Sequence, residues 1–171
     1  MRKAQEVPAL DMDNQHARAG LLFVYPTFLG IEPFHEVVQV IPGTVAFQTY
    51  LWAGELVRVW NMYLPPGNQW AIIKAWQEWV TDNRDYACFE EGTQVLMGDA
   101  NANPRTHPAL NAHLLDLAAS MGMREITPDA AQPTFTTHKG ASRLDRAFAS
   151  MSTGVQWSAE VQDSGKVGHR W

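Results

Sequence analysis

The sequence predicts an α/β domain in which a mixed sheet is covered by two helices. Short apolar runs of strand length recur between proline and glycine turn signals, and two longer segments place apolar residues at helical spacing. A hairpin and short connections favour a mixed sheet over a purely parallel one. The length of 171 residues fits one domain, residues 1–171, within which residues 1–17 could be a loose N-terminal segment.

The predicted strands follow from β-branched and aromatic runs bounded by turn residues. In Leu56–Leu64, Val57, Val59, Asn61 and Tyr63 share one face, because side chains alternate along a strand. The strands are Gly20–Tyr25, Glu36–Ile41, Val45–Trp52 and Leu56–Leu64 as a hairpin across Ala53 and Gly54, Thr93–Met97, Thr134–Thr137, Arg143–Ala149 and Val155–Val161.

Two amphipathic helices are predicted, the first over residues 69–81. We interpret its stripe of Trp70, Ile73, Trp76 and Val80 as core packing in preference to a ligand platform. The second helix is predicted to follow Thr106 as N-cap, with Pro108 in its first turn, and to end at Gly122. Its apolar face is Leu110, Leu114, Leu117 and Met121.

Composition and charge indicate an intracellular globular protein of the cytoplasm or nucleus, without membrane attachment. The apolar share is 46% and the charged share 18%. Cys88 is the single cysteine, which excludes an internal disulfide. The net charge of −5 argues mildly against non-specific binding of nucleic acid over a broad surface. Residues 134–171 are net basic, and could either face a phosphate backbone or be a solvated surface.

The stretch Gly98-Asp99-Ala100-Asn101 places a carboxylate and a carboxamide at the tip of a predicted strand. In an extended segment Asp99 and Asn101 would point to the same side. Together they could orient an attacking water and hold a phosphoryl oxygen. Gly98 permits tight turning or close backbone approach. By itself, however, Gly-Asp-x-Asn is also a common turn.

Further motifs accompany this stretch in a fixed order. They are Asn61-Met62-Tyr63-Leu64-Pro65, Thr134-Phe135, Arg143-Leu144-Asp145 and Gly168-His169. As a set they resemble the endonuclease/exonuclease/phosphatase superfamily, especially apurinic-type and retrotransposon-encoded endonucleases, over roughly residues 18–171. The resemblance implies a four-layer sandwich of two mixed β-sheets flanked by helices. It also implies a metal-dependent phosphodiester hydrolase, an endonuclease that acts on DNA with Mg²⁺ or Mn²⁺.

The resemblance also implies roles for individual residues. Asp99 would position or deprotonate the water, and Asn101 would hold the water or the phosphate. Tyr63 would donate a hydrogen bond near the scissile phosphate. Asp145 would pair with His169, fix its tautomer and favour the imidazolium, which can neutralise charge on the phosphate. Substrate contacts are expected from Asn61, Arg143 and Arg146, and the metal ligand is expected to be Glu6 of the Gln5-Glu6 pair.

Structural alternatives remain open for these residues. Tyr63 could be a buried strand tyrosine, and Asp145 could pair with Arg143 or Arg146 on a surface strand. His169 could be a frayed terminal residue. For Thr134 and Phe135, we expect packing within a strand in preference to a role in catalysis.

The sequence also departs from the family pattern at both ends. Gly168 stands where the family usually has an aspartate that helps to ligate the metal, and the first and last strands are not evident. We therefore expect an incomplete domain that belongs to a larger polyprotein, with poor solubility or low activity in isolation. The alternatives are a catalytically impaired or non-catalytic domain of the same fold, or a phosphatase acting on a small phosphoester.

Overall fold

The fold is given by a computed structural model that describes residues 2–8, 20–126, 133–137, 140–142, 144–150 and 168–169. For some of these, among them residues 2–8 and 168–169, it describes the backbone only. The strands are β1 (Arg2–Pro8), β2 (Gly20–Pro26), β3 (Glu32–Pro33), β4 (Val38–Ile41), β5 (Val45–Trp52), β6 (Glu55–Tyr63), β7 (Thr93–Asp99), β8 (Met123–Glu125), β9 (Phe135–Thr137), β10 (Gly140–Ser142), β11 (Asp145–Ser150) and β12 (Gly168–His169). The helices are a short 3₁₀ helix (Thr27–Leu29), α1 (Gln69–Asp82), α2 (Arg84–Cys88) and α3 (Pro108–Ser120).

In the described residues, a seven-stranded mixed sheet has the strand order β3-β5-β6-β7-β11-β8, with β4 also paired to β5. Strands β6 and β7 run parallel, and their other neighbours in this sheet are antiparallel. Two smaller antiparallel groups are β1-β2 and β10-β9-β12. The prediction of a mixed sheet is therefore confirmed.

The two faces of β6 separate two layers of the core. Trp60 and Met62 are buried on one face, among residues of α1 and α3 such as Trp76 and Leu114. On the opposite face, Val59 and Tyr63 pack against a second cluster that contains Leu21, Phe23 and Ala46. This alternation confirms the predicted shared face of the odd-numbered residues, and it places helices on one side of the sheet and β2 on the other.

Several element boundaries differ from the predictions. Strand β4 begins at Val38 and β11 at Asp145, both two residues later than predicted, while β7 extends to Asp99. The short elements β3 and α2 were not predicted, because two and five residues show too little periodicity to be recognised. The predicted strand Val155–Val161 lies outside the described residues.

Helix α1 begins at Gln69 as predicted, but the N-cap of α3 and the burial of Trp70 differ from the predictions. Helix α3 has His107 rather than Thr106 at its N-cap, and the Thr106 hydroxyl lies 2.9 Å from His107 Nδ1. In α1, Ile73, Trp76 and Val80 are buried as expected, but Trp70 is 51% exposed. Core packing is therefore the wrong interpretation for Trp70. In the described part of the chain, no helix is long and apolar enough to cross a membrane.

A buried cation anchors the middle of β6. Arg58 is only 2% exposed, and its guanidinium lies over the rings of Phe47, Tyr86 and Phe89 at 3.9 to 4.6 Å from their centroids. The Nε atom donates to Thr49 Oγ1 at 3.2 Å. Burial lowers the pKa of Arg58 to about 10, so the group stays protonated at neutral pH.

Replacing Arg58 with alanine should lower the free energy of unfolding by about 2–4 kcal/mol, because the change removes ring contacts and leaves a cavity. Urea denaturation followed by circular dichroism would measure the loss. The matched control is Arg124→Ala on the exposed side of β8, which should change stability by less than about 0.5 kcal/mol. Equal effects of the two changes would contradict a stabilising role for Arg58.

Candidate functional site

Three polar residues lie side by side at one edge of the large sheet. Tyr63 at the end of β6 pairs in register with Asp99 at the end of the parallel strand β7. Asp145 at the start of the antiparallel strand β11 pairs with Asp99 from the other side. Because residues in register on adjacent strands project to the same face and the strands lie ~4.8 Å apart, the three form a continuous row. We call it the Tyr63–Asp99–Asp145 row.

Gly98 makes this alignment possible. Its φ is +151°, and a Cβ atom at this position would lie 1.9 Å from the backbone oxygen of Met62 on β6. Only glycine allows the two parallel strands to approach so closely before Asp99 and Tyr63 come into register. The expectation of close backbone approach at Gly98 is confirmed.

Asn101 is fixed by a turn rather than by an extended strand. Its φ is +45°, a left-handed conformation that asparagine tolerates better than most residues. The backbone N–H of Asn101 donates to Asp99 Oδ1 at 2.9 Å, and Asn101 Nδ2 donates to the Leu64 carbonyl at 3.0 Å. The expected extended geometry is therefore wrong, but the turn ties Asn101 to the ends of both parallel strands.

Asp145 is an interior residue, 1% exposed, and not part of a surface strand. The hydroxyl of Thr134 accepts the backbone N–H of Asp145 at 2.9 Å and that of Leu144 at 3.1 Å. The Leu144 carbonyl in turn accepts the N–H of Ala100 at 2.9 Å. Thr134 thus fixes the start of β11 beside the Asp99 turn, a role beyond strand packing.

The backbone of His169 lies close to this arrangement. His169 pairs with Phe135 on β9, the residue that follows Thr134. Asp145 and His169 therefore flank the same two-residue segment, Thr134-Phe135. The side chain of His169 is outside the described part of the structure, so its pairing with Asp145 stays a prediction.

The predicted substrate contacts have different outcomes. Arg146 is 1% exposed, and its Nε and Nη2 donate to the Glu125 carboxylate at 2.6 and 2.7 Å, while Nη1 donates to Asn111. A guanidinium engaged in this way holds β11 to β8 and α3 and is not placed to contact a substrate. Asn61 is partly buried on the face of β6 that carries Tyr63. Arg143 lies outside the described residues.

Tyr63 is partly buried, which places it between the two alternatives considered from the sequence. Its ring packs against the cluster of Leu21, Phe23 and Ala46. Its backbone N–H donates to the Thr44 carbonyl at 2.8 Å. The strand end that carries Tyr63 is therefore held from two sides.

The described side chains do not make up a metal site. Among them, no three His, Cys, Asp or Glu residues lie close enough together to hold a metal ion. The predicted ligand Glu6 lies on β1, where its backbone pairs with Leu22, but its side chain is outside the described part. Asp99 and Asp145 are the two carboxylates of the row, and they do not by themselves complete a Mg²⁺ site.

A groove of about 790 Å³ opens beside the row and includes Asn101 in its lining. It was not predicted from the sequence, because its walls come from segments far apart in the chain. The sequence feature that could have indicated the groove is the run of polar residues after Asn101, which places Asn103, Arg105 and His107 in one loop. The groove is lined by Pro66, Gly67, Gln69, Trp70, Asn101, Asn103, Arg105, Thr106, His107, Leu110, Phe135, Ser142 and Leu144.

Several solved structures share this fold. The endonuclease domain of TRAS1, a telomere-specific non-LTR retrotransposon, matches with a TM-score of 0.63 and 16% identity over 86% of this chain and 67% of that one. D. rerio TDP2 complexed with a single-strand DNA product matches with a TM-score of 0.58 and 11% identity over 99% and 74%. A mannosyl-6-phosphatase from Bacteroides thetaiotaomicron matches with a TM-score of 0.59 and 14% identity over 88% and 61%.

These matches establish the fold. The chain has the fold of the endonuclease/exonuclease/phosphatase superfamily, as its motifs implied. It spans less than two thirds of the mannosyl-6-phosphatase and about two thirds of the TRAS1 domain. No protein-family model and no curated protein matches the sequence.

Proposed function

We propose that this chain is a phosphodiester hydrolase that cuts one strand of DNA. The observation that carries the proposal is the Tyr63–Asp99–Asp145 row, with Asn101 fixed beside it. Residues from separate motifs come into adjacent register at one sheet edge. Phosphodiester cleavage needs an aligned water, a group that accepts its proton, and donors to the phosphoryl oxygens. The row and Asn101 together offer candidates for these roles.

Asp99 is proposed to orient the water and take its proton. A base must hold a fixed orientation, and the N–H of Asn101 bound to Oδ1 restricts rotation of this carboxylate. Asn101 donates its Nδ2 to Leu64, which fixes the plane of the carboxamide. Its oxygen would then accept a hydrogen bond from the water.

Tyr63 and the Asp145–His169 pair are proposed to stabilise charge on the phosphate. Tyr63 would donate its phenolic hydrogen to a phosphoryl oxygen or to the leaving oxygen. Asp145, buried next to Asp99, would favour the imidazolium form of His169. The backbone position of His169 across β9 supports this pairing.

Mg²⁺ is proposed as the cofactor on the strength of the family resemblance. When bound, a hard divalent cation would neutralise charge on the non-bridging oxygens. The described side chains alone do not complete its ligand set. Glu6 would be the additional ligand.

Two other functions remain as alternatives within the same fold. One is a phosphatase for a small phosphoester, the activity named for the Bacteroides structure. The other is a non-catalytic domain, which Gly168 in place of a metal-ligating aspartate favours. Among the described residues that line the neighbouring groove, none is acidic, which favours a polyanionic substrate such as DNA.

A plasmid-nicking assay tests the proposed function. A single cut converts supercoiled plasmid to nicked circles, so even weak activity is measurable. The phosphate monoester p-nitrophenyl phosphate serves as the comparison substrate. We expect nicked circles with Mg²⁺, none with EDTA, and no turnover of the monoester. Glu6→Gln should need more Mg²⁺ for the same rate than the exposed control Glu36→Gln.

The other outcomes identify the alternatives. Turnover of the monoester while the plasmid stays intact would contradict the nuclease function and indicate a phosphatase. Inactivity toward both substrates, also when a first strand from a homologous domain is added upstream, would indicate a non-catalytic domain.

A further inference from the structure

The groove beside the Tyr63–Asp99–Asp145 row differs in charge from the chain as a whole. The protein carries a formal net charge of −5. None of the described residues that line the groove is acidic, and they include the exposed cation Arg105 and the imidazole of His107. A phosphate group would therefore meet no like charge on these walls. Asn101 lines the groove and is also bonded to Asp99, so the groove is continuous with the row.

Trp70 presents an aromatic surface to this groove. It lies in the first turn of α1 and is 51% exposed, although the other apolar residues of that stripe are buried. Its ring meets the ring of His113 edge to face, with centroids 4.9 Å apart and an interplanar angle of 72°. The ring therefore packs against His113 on one side, while about half of the residue stays exposed to solvent.

The loop that carries Arg105 is also held in place. Asn103 Oδ1 accepts the N–H of Arg105 at 2.9 Å, and the Asn103 carbonyl accepts the N–H groups of Thr106 and His107 at 3.2 and 2.8 Å. Gln69 Nε2 donates to the Asn101 carbonyl at 3.4 Å and links this loop to the start of α1. An oriented ring and a fixed cationic loop therefore line one open groove.

We propose that this groove is a nucleotide subsite, in which a base stacks on Trp70 and an adjoining phosphate lies at Arg105. The inference rests on the proposed function and extends it to the nucleotide next to the scissile phosphate. Stacking on an exposed aromatic ring requires a base with a free face, which paired and stacked bases of an intact duplex do not offer. The subsite therefore favours a cut beside an unpaired nucleotide over a cut in a fully paired segment.

The test measures binding without cleavage. Fluorescence anisotropy of a fluorescein-labelled oligonucleotide of eight deoxythymidines would be recorded in EDTA at low salt. Trp70→Ala should raise Kd roughly tenfold, and Trp70→Phe should retain most of the affinity. The control is Trp52→Ala, since Trp52 is 46% exposed but lies at the opposite end of the β5–β6 hairpin from Tyr63. This variant should bind as the wild type does.

Arg105 is tested through the salt dependence of the same binding. Loss of one phosphate contact should reduce the slope of log K against log salt by about 0.7 for a single strand. Arg105→Ala should show this reduction, and the exposed control Arg124→Ala should not. Thermal unfolding of each variant verifies that the fold is retained. If Trp70→Ala failed to fold, the salt slope of Arg105→Ala would decide the outcome, since an unchanged slope would overturn the subsite.

The failures of the two proposals are distinguishable. Absence of saturable binding by the wild type, or equal Kd values for wild type and Trp70→Ala, would overturn the subsite even if Asp99-dependent nicking were present. Binding that depends on Trp70 and Arg105 without nicking would support the subsite and overturn the proposed hydrolysis.

Discussion

Replacement of Asp99 with asparagine is expected to reduce the rate of plasmid nicking by about 10²–10⁴-fold, the range that a positioned general base contributes. Asparagine keeps the size of the side chain, and its carboxamide oxygen can still accept the N–H of Asn101. It cannot accept a proton from water. The loss should therefore appear in the rate of cleavage under single-turnover conditions, with little change in thermal stability.

The matched control for Asp99→Asn is Asp116→Asn, on the exposed surface of α3. This variant removes the same charge from the chain and should nick at the wild-type rate. If Asp99→Asn also nicked at the wild-type rate, Asp99 would not belong to the catalytic centre. If both variants lost activity to the same extent, the effect would be attributed to net charge.

The largest effect on stability is expected from Gly98→Ala. The new Cβ would lie 1.9 Å from the Met62 carbonyl oxygen, which belongs to the sheet backbone and cannot move without disturbing the β6–β7 pairing. We expect a loss of about 3 kcal/mol or more in the free energy of unfolding, measured by urea denaturation. The nicking rate per folded molecule should also fall, because Asp99 directly follows Gly98 and would shift relative to Tyr63.

Gly30→Ala is the control for backbone conformation alone. Gly30 also has a positive φ, +64°, but a Cβ atom there meets nothing within 4 Å. Its substitution should cost about 1–2 kcal/mol, the cost of a left-handed alanine. Equal losses at Gly98 and Gly30 would contradict the close strand approach that aligns the row.

Much of the large sheet could be predicted from the sequence because its signals are local. The hairpin shows alternating side chains on either side of Ala53-Gly54, and both turn residues adopt positive φ as such a turn requires. Helices α1 and α3 show clear apolar stripes. The meeting of Tyr63, Asp99 and Asp145 came from the family resemblance, since no local signal states which strand ends are neighbours.

Other features depend on tertiary contacts and could not be predicted. The turn at Asn101 is tied to the carbonyl of Leu64, the residue that follows β6. Arg146 follows Asp145 in the sequence but points to the opposite face of β11, where Glu125 and Asn111 bind it. Trp70 fits the helical period of α1, yet it is 51% exposed and its ring contacts His113 of α3.

A double-mutant cycle between Asp99 and Asp145 tests most directly whether the row is one catalytic centre. Single-turnover nicking rates would be compared for the wild type, Asp99→Asn, Asp145→Asn and the double variant, each corrected for its folded fraction. Residues that act as a unit show strongly non-additive losses. We predict that the double variant nicks no more than about threefold more slowly than the slower single variant. A double variant whose loss equals the product of the two single losses would show that Asp99 and Asp145 act independently, and would contradict a shared centre.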